Sequence, residues 1–239
     1  MKPTISVIIP VYNHAHTLGN CLNTIAWGVY SGEVEIIIVN DGSTDNFHDE
    51  LNRILNKYPA VKNLVKKVID QPNLGAAAAR NRGFKEATGE YVIFVDADTF
   101  CYPNMLPEML EKLKSHPEVS YAYSQFRFGW KKMKSRQFST EALRKNNYID
   151  TTSLIRTKDF PGFDESLKRF QDWDLWLTML KHGKAGIFVS KILYKKVVGL
   201  RRGISSWLPS FVYRLPWKIK KVKEYEAAKA IVMKKHHLK

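Results

Sequence analysis

The chain has 239 residues, enough for one large domain, and its 44% hydrophobic and 26% charged residues are the proportions of an ordinary globular protein. It contains no apolar run of the roughly 18 residues that marks a membrane-spanning helix, and its two cysteines give neither a disulfide framework nor a zinc spacing, which favours a reducing, cytoplasmic location. The formal net charge of +15 favours a polyanionic partner such as nucleic acid, nucleotide phosphate or anionic lipid, without choosing among them.

The first half of the chain alternates between apolar strands and helices. Its opening segment, MKPTISVIIPVYN, lacks a small-residue cleavage site, so we interpret the apolar run as a buried strand and not as a signal peptide. In chain order the patterns predict strand 5–11, helix 15–27, strand 34–40, helix 46–57, strand 63–70, helix 74–88, strand 91–96 and helix 103–115. Continuous apolar strands separated by helices predict an α/β fold with a mostly parallel sheet covered on both faces.

The second half is less regular. The patterns predict strand 119–126, a loop with a short helix over 127–148, strand 150–157, a turn at 161–165, helix 172–183 ending at Gly183, and two late strands, AGIFVS and KILYKKVVG. The tail from Leu208 is basic and amphipathic. It either packs on the domain or lies on an anionic membrane, with aromatic residues at the interface: Trp207, Phe211, Tyr213 and Trp217. The tail histidines His236 and His237 are predicted to be solvated.

Polar residues follow the ends of the predicted parallel strands. They are Asn13, then the NDGS segment 40–43, then the QPN segment 71–73, then Asp96 and Asp98. In open α/β sheets, ligands bind beyond the carboxyl ends of the strands. The sequence therefore predicts a binding site at this edge of the sheet.

Asp96 and Asp98 end the apolar run YVIFVD with one alanine between them. Such a pair is often only a solvated turn. At the mouth of a core strand, however, ionised carboxylates need a cationic partner, because burying an unpaired charge is costly. Mg²⁺ and Mn²⁺ take one or two carboxylates and fill their other positions with water and phosphate oxygens. The context therefore favours a divalent cation that carries a diphosphate.

Two other segments allow alternative interpretations. Asp41 can bind a base or ribose, or its turn can simply lead into the next helix. The small residues after Asn73 let a helix lie close to a ligand or to neighbouring backbone, and the N-terminus of that helix attracts phosphate. Arg80, about two turns into this helix, either reaches a nucleotide or lies at the surface.

Taken together, these motifs resemble those of family 2 glycosyltransferases, which are inverting nucleotide-sugar enzymes with a GT-A fold. The resemblance spans about residues 4–206 and rests on five segments in order: Pro10-Val-Tyr-Asn13, Asn40-Asp-Gly-Ser-Thr-Asp45, Asn73-Leu-Gly…Arg80-Asn81, Asp96-Ala-Asp98 and Phe163-Asp-Glu…Gln171-Asp172-Trp-Asp-Leu. It implies that Asp41 contacts the base, Asp96 the nucleotide, and Asp98, with Asp96, a Mn²⁺ or Mg²⁺ ion. The other residues that it places around a UDP- or GDP-type donor are Pro10, Tyr12, Asn13, Asn73, Gly75 and Arg80.

The resemblance also implies a general base in the second half. The acceptor hydroxyl needs a carboxylate within hydrogen-bond reach, and the family's Glu-Asp pair corresponds here to Gln171-Asp172. We predict Asp172 as the base, with Asp174 in reserve and with Trp173 and Asp174 on the acceptor side; alternatively, Asp172 only caps the helix. Because a like-charged neighbour would raise the pKa of Asp172, Gln171 by itself should lower it.

The segment after the late strands departs from the family pattern. Many relatives have a metal-ligating histidine there, whereas this chain has Arg201 and Arg202. These arginines either hold the diphosphate or form a basic surface pair. The implied organisation is a GT-A domain over 1–206, with a nucleotide half (about 1–100) and an acceptor half (about 101–206), followed by a basic extension over 207–239.

The implied function is inverting transfer of a sugar to a glycan or lipid-linked acceptor, with the tail in peripheral contact with the cytoplasmic face of an anionic membrane. The sequence also bears on three other functions. A nucleotidylyltransferase would have a Gly-rich loop where this chain has Pro10-Val-Tyr-Asn-His14. A nucleic-acid module would show a basic recognition helix or an aromatic-studded sheet, so no nucleic-acid partner is predicted. A degenerate, non-catalytic GT-A domain that binds nucleotide or membrane as a scaffold remains the alternative.

Overall fold

The computed structural model describes residues 4–28, 34–197 and 220–238. The strands are β1 Ile5–Val11, β2 Val34–Asp41, β3 Val65–Gln71, β4 Tyr91–Phe94, β5 Thr99–Cys101, β6 Tyr121–Phe128, β7 Lys131–Met133, β8 Leu154–Arg156 and β9 Gly186–Lys196. The helices are α1 Ala15–Ala26, α2 Phe47–Lys57, α3 Pro59–Leu64, α4 Ala76–Phe84, α5 Met105–Ser115, α6 Thr140–Lys145, α7 Gln171–Lys181 and α8 Lys220–Lys235.

All nine strands belong to one mixed sheet, in the order β3-β2-β1-β4-β8-β6-β9-β5, with β7 paired to β6. The strands of the first half, β3-β2-β1-β4, are parallel, as predicted from their continuous apolar runs. The second half joins through antiparallel pairing of β8 with β4 and β6, while β9 runs parallel to β6. The predicted α/β fold class is thus confirmed.

The register of the parallel strands brings their carboxyl ends level. Val11 lies opposite Asn40, and Asp41 lies opposite Gln71. The polar residues that follow these strands therefore reach the same edge of the sheet, which is the arrangement that the strand-end pattern predicts.

Helices cover both faces of the sheet. Alternate residues of each central strand point to opposite faces, so that Ile9 packs in the core beneath α1, α2 and α5, whereas Ile8 packs with α4 and α7 on the other side. Ala77, Ala78 and Ala79 of α4 are buried, and a Cβ atom at Gly83 would lie 2.5 Å from Ile8 Cγ2. The small residues of α4 are therefore explained by its close packing on the strands.

Several element boundaries differ from the predicted ones. The strand predicted over 63–70 begins only at Val65, because Pro59 occupies the first turn of the short helix α3. The two predicted late strands are one strand, β9, which has register irregularities against β6 where the break was predicted. The segment 127–148 contains β7 and α6, and α7 ends before Gly183, whose φ of +72° terminates the helix as predicted.

The C-terminal helix α8 packs on the domain. Val222 and Val232 are fully buried, and Val232 joins the core cluster that contains α7. The aromatic residues predicted at a membrane interface, and the predicted domain boundary at 206, lie outside the described residues. No helix among residues 4–28, 34–197 and 220–238 combines the length and apolarity that crossing a bilayer requires.

Candidate functional site

Asn13 ties the end of β1 to the turn after β2. It has a left-handed backbone (φ +55°), and its side-chain Oδ1 accepts hydrogen bonds from the backbone N–H groups of Thr44 (2.7 Å) and Asp45 (3.2 Å). The Asn13 N–H donates in turn to Ser43 Oγ at 3.1 Å. The residue predicted to bind nucleotide thus also shapes this edge.

Asp41 organises the loop between β3 and α4. Its carboxylate accepts hydrogen bonds from Gln71 Nε2 (2.7 Å) and from the backbone N–H groups of Leu74 and Gly75 (both 2.9 Å). Gly42 permits the close approach of this loop, since a Cβ atom there would lie 2.7 Å from the Asn73 backbone nitrogen. Asp41 is 3% exposed, so its contribution to a nucleotide site is at least partly to hold the loop over 71–75 in place.

Asp96 has cationic partners within the chain. One carboxylate oxygen accepts a hydrogen bond from Arg80 at 2.7 Å, and the other pairs with the Lys196 ammonium at 3.0 Å. Burial alone would raise the pKa of Asp96, but the two cations outweigh it and hold the pKa below its ordinary value. Asp96 is therefore ionised and already neutralised by side chains.

Lys196 is the centre of this charge network. It comes from the last residue of β9, which lies opposite Thr99 of β5, and its ammonium pairs with Asp96 and with Asp150 at 2.8 Å. Its desolvation is more than offset by the two carboxylates, so its pKa is raised above the ordinary value. Lys196 thereby joins Asp96, at the end of the parallel strands, to Asp150 in the second half of the chain.

Asp98 is the carboxylate that remains for a metal. Its Oδ1 atom is buried with no hydrogen-bond partner among the described residues, and burial and the neighbouring Asp96 raise its pKa. An unpaired buried carboxylate oxygen beside an already neutralised one fits a hard divalent cation. No cluster of three or more His, Cys, Asp or Glu side chains with metal-binding geometry occurs in the described parts of the chain, so a metal at Asp98 would need phosphate and water oxygens for its other positions.

Asp172 lies in the first turn of α7. Its Oδ2 accepts a hydrogen bond from Asn147 Nδ2 at 2.6 Å, and its Oδ1 accepts one from the Trp173 N–H at 2.9 Å. Burial and the nearby Asp150 carboxylate raise the pKa of Asp172 to about 6. These two effects outweigh the lower pKa that was expected for Asp172 from the neutral neighbour Gln171 alone.

Arg80 connects Asp96 to the first turn of α7. While one guanidinium nitrogen donates to Asp96, another donates to Gln171 Oε1 at 3.2 Å, next to Asp172 in sequence. Arg80 is 7% exposed and its Nε has no partner among the described residues. It is therefore a buried bridge and not a surface arginine.

The structure separates two predicted acceptor residues from the site. Trp173 is 1% exposed and donates its ring N–H to the Leu143 carbonyl at 2.7 Å. Asp174 is 2% exposed and is bound by Lys235 and His236 of the C-terminal segment. Neither side chain is open to an acceptor in this arrangement. The prediction that His236 is solvated is wrong, because its side chain is 7% exposed and pairs with Asp174 at 2.8 Å.

The remaining predicted residues lie at the sheet edge or outside the described parts. Pro10 is half-buried at the end of β1, Tyr12 is 45% exposed, Asn73 is exposed, and Gly75 begins α4 with a φ of +95°. Arg201 and Arg202 lie outside the described residues, so both interpretations of them stay open.

Sequence reasoning missed Lys196, Asp150 and Asn147. Lys196 could have been found from the sequence. It lies two residues after Tyr194 on the same strand, so the two side chains share a face, and an aromatic residue such as Tyr194 indicates the buried face. A lysine on the buried face of a strand needs an acidic partner. Asp150 and Asn147 lie near the end of an irregular segment with no pattern that marks them.

Comparison with known proteins identifies the family of the chain. The model of "Glycosyl transferase family 2" matches residues 6–176. An uncharacterized glycosyltransferase of Escherichia coli (strain K12), YibD, is 42% identical over 106 residues, which are 44% of this chain and 29% of that protein. The chondroitin synthase of Pasteurella multocida (strain Pm70) is 25% identical over 208 residues, 82% of this chain and 21% of that protein. The matches thus cover less than a third of the length of these two relatives.

Solved structures show the same fold. S. aureus TarS 1–349 in complex with UDP-GlcNAc superposes with a TM-score of 0.70 at 21% identity, covering 99% of this chain and 72% of that chain. The mannosyltransferase PcManGT from Pyrobaculum calidifontis, in complex with GDP-Man and Mn²⁺, has a TM-score of 0.68 at 18% identity, covering 97% of this chain and 70% of that one. These likenesses establish a GT-A-like fold. Since the family model spans both the strand-end residues and the first turn of α7, the chain belongs to glycosyl transferase family 2.

Proposed function

We propose that the chain transfers a sugar, with inversion, from a UDP- or GDP-type nucleotide sugar to a hydroxyl of a glycan or lipid-linked acceptor. The observation that carries this proposal is that two carboxylates in different environments adjoin one charge network. Asp98 has a buried oxygen without a partner among the described residues, and Asp172 has a pKa of about 6. The network consists of Lys196 and its partners Asp96 and Asp150. One carboxylate suits a cation and the other suits a proton acceptor. Relatives in complex with UDP-GlcNAc and with GDP-Man and Mn²⁺ support the donor class.

The donor half is the sheet edge built by β1, β2, β3 and β4. Asp41 fixes the loop over 71–75, and Asn13 fixes the turn over 43–45, so both loops are preorganised for a nucleotide. We assign the nucleotide to the residues at this edge: Pro10, Tyr12, Asn13, Asp41, Asn73, Gly75, Arg80 and Asp96. Arg80 acts mainly by holding Asp96, because its guanidinium is already engaged by that carboxylate.

Asp98 would hold the divalent metal, with Asp96 kept beside it by Arg80 and Lys196. A bound Mn²⁺ or Mg²⁺ would offset negative charge on the departing diphosphate. Lys196 makes a second contribution, since its ammonium offsets the charge of Asp96 and leaves Asp98 as the unpaired carboxylate of the motif.

Asp172 accepts the proton of the attacking hydroxyl. An inverting transfer is a single displacement, so one carboxylate within hydrogen-bond reach of the hydroxyl is sufficient. The hydrogen bond from Asn147 fixes the orientation of the Asp172 carboxylate. Its raised pKa makes it a stronger proton acceptor than an ordinary aspartate.

The same proposal extends to organisation and location. The GT-A domain occupies 1–206 and the basic extension 207–239, and the extension contacts an anionic membrane surface in addition to packing α8 on the domain. The net charge of +15 supports this peripheral contact.

The proposed metal site is tested by Asp98→Asn. We expect nucleoside diphosphate release from a panel of UDP and GDP sugars to require Mn²⁺ or Mg²⁺ in the wild type, and to fall at least about 100-fold in the variant, since one carboxylate provides the protein's share of the ligation. Isothermal titration of Mn²⁺ in the presence of UDP or GDP should show the same loss. An exposed aspartate, Asp49→Asn, is the control. Metal-independent nucleotide binding with no turnover of any donor would instead indicate a scaffold.

The pH dependence tests the assignment of Asp172. Because the pKa is raised from 3.8 to about 6, the base is charged above that pH and neutral below it. The ratio kcat/KM reports ionisation in the enzyme before its substrates bind, so kcat/KM should fall about tenfold per pH unit below about pH 6 and level off above it. The same shift makes the folded state bind a proton between pH 3.8 and about 6, so this group's contribution to stability decreases as the pH rises through that interval. A kcat/KM that is flat between about pH 5 and about pH 8 would contradict the assignment.

A further inference from the structure

The residue before α7 has an unusual backbone. Phe170 has a φ of +60°, a left-handed conformation that is a genuine outlier for a bulky residue. Its carbonyl accepts the hydrogen bond from the Asp174 N–H at 2.9 Å, which closes the first turn of α7. Asp172 lies inside that turn. Such a conformation persists only where the surroundings hold it in place.

The C-terminal helix supplies part of those surroundings. The Tyr225 ring lies 4.9 Å from the Phe170 ring in an edge-to-face arrangement, and Lys229 lies 5.8 Å from the centre of the Trp173 ring. Lys229 also donates to Asn146 Oδ1 at 3.3 Å. Asn146 precedes Asn147, the residue that binds the Asp172 carboxylate. Helix α8 thus contacts the neighbours of Asp172 on α7 and a neighbour of its hydrogen-bond partner.

The strongest contacts are at Asp174. Its buried carboxylate is bound by Lys235 at 2.8 Å and by His236 Nε2, also at 2.8 Å. Lys235 pairs as well with Asp164 at 2.6 Å, in the segment before α7. A buried carboxylate is costly without partners. Within the described residues, the ion pairs of Asp174 come from Lys235 and His236 at the end of α8, which therefore contributes to the stability of this turn of α7.

We propose that α8 is a positioning element for the general base, with Asp174, Lys235 and His236 as the positioning residues. The inference rests on the proposed function, because it assigns α8 the task of fixing Asp172. Neither Lys235 nor His236 reaches the base itself. They hold the turn that carries it. Loss of their contacts leaves Asp174 buried without these partners and loosens the turn that the Asp174 N–H closes on the Phe170 carbonyl.

The test is the variant Lys235→Ala/His236→Ala in the full chain, with Lys234→Ala/His237→Asn as matched control. Lys234 and His237 are the same residue types one position away and are exposed, and asparagine suits the left-handed backbone of residue 237 (φ +53°). We expect the test variant to lose about tenfold to a hundredfold in kcat, because small displacements of a reacting group are that costly. The dissociation constants of UDP and GDP with Mn²⁺ should stay within about twofold of wild type.

Hydrogen exchange provides a readout that does not depend on turnover. In the test variant, amides of residues 171–176 should exchange faster, while those of α4 keep their wild-type protection. The single variant Lys235→Arg can form both ion pairs, with Asp164 and with Asp174, and should therefore keep the wild-type kcat and the wild-type protection. Equal behaviour of test and control variants would overturn the proposal, and so would a uniform loss of protection with weaker nucleotide binding. A wild type that turns over no donor would contradict the proposed function, whereas the exchange data would still decide whether α8 fixes the turn.

Discussion

Asp172→Asn is expected to lower kcat for sugar transfer by about 10²- to 10⁴-fold, the range associated with loss of a general acid or base. The amide cannot take the proton of the acceptor hydroxyl. Its single oxygen can replace only one of the two carboxylate oxygens that accept hydrogen bonds from Asn147 Nδ2 and from the Trp173 N–H. UDP or GDP binding with Mn²⁺, measured by calorimetry, should change by less than about twofold, because the hydrogen bonds of the Asp172 side chain are to Asn147 and to the Trp173 N–H.

The control for this substitution is Asp49→Asn. Asp49 is also a carboxylate in the first turn of a helix, α2, but it is exposed to solvent. Both substitutions remove one negative charge from a helix N-terminus, so a general dipole or stability effect would appear in both. Transfer rates that fall equally in the two variants, or a fully active Asp172→Asn protein, would refute the role of Asp172 as base.

Lys196→Met should lower the free energy of unfolding by about 3–5 kcal/mol, the cost of removing one partner from a buried ion pair. Methionine has a similar length but no charge, so Asp96 and Asp150 would remain buried without the ammonium that pairs with both. Urea denaturation of the full chain measures the change. Nucleotide affinity should also fall, since Asp96 would then be held by Arg80 alone among these cations.

Lys195→Met is the matched control, because Lys195 is the adjacent residue of β9 and is only partly buried. The double variant Lys196→Met/Asp150→Asn also removes one of the two carboxylates left without the ammonium. It should therefore be more stable than Lys196→Met alone, and the non-additivity of the two substitutions gives their coupling energy. A loss below about 1 kcal/mol for Lys196→Met, or no recovery in the double variant, would show that the network is not the stabilising feature we describe.

The regular elements of the first half could be predicted because their signals are local. Continuous β-branched runs, the small residues of α4 and the positive-φ glycine after α7 each reflect short-range sterics or a nearby turn. The edge site followed from the same information, since the carboxyl ends of parallel strands must meet. Where the prediction failed at the single strand β9, the outcome depended on its pairing with β6.

The sequence by itself determined the fold class, the sheet edge that carries the site, and the identity of the acidic pair Asp96 and Asp98. Only the tertiary structure decided how those acids are neutralised, because Asp96 and Lys196 are 100 residues apart and meet through the register of β9 against β5. It likewise decided that Asp174 and His236, which are 62 residues apart, form a buried pair. The sequence had predicted Asp174 on the acceptor side and His236 in solvent. Charge pairing depends on distance in space, and no local periodicity encodes it.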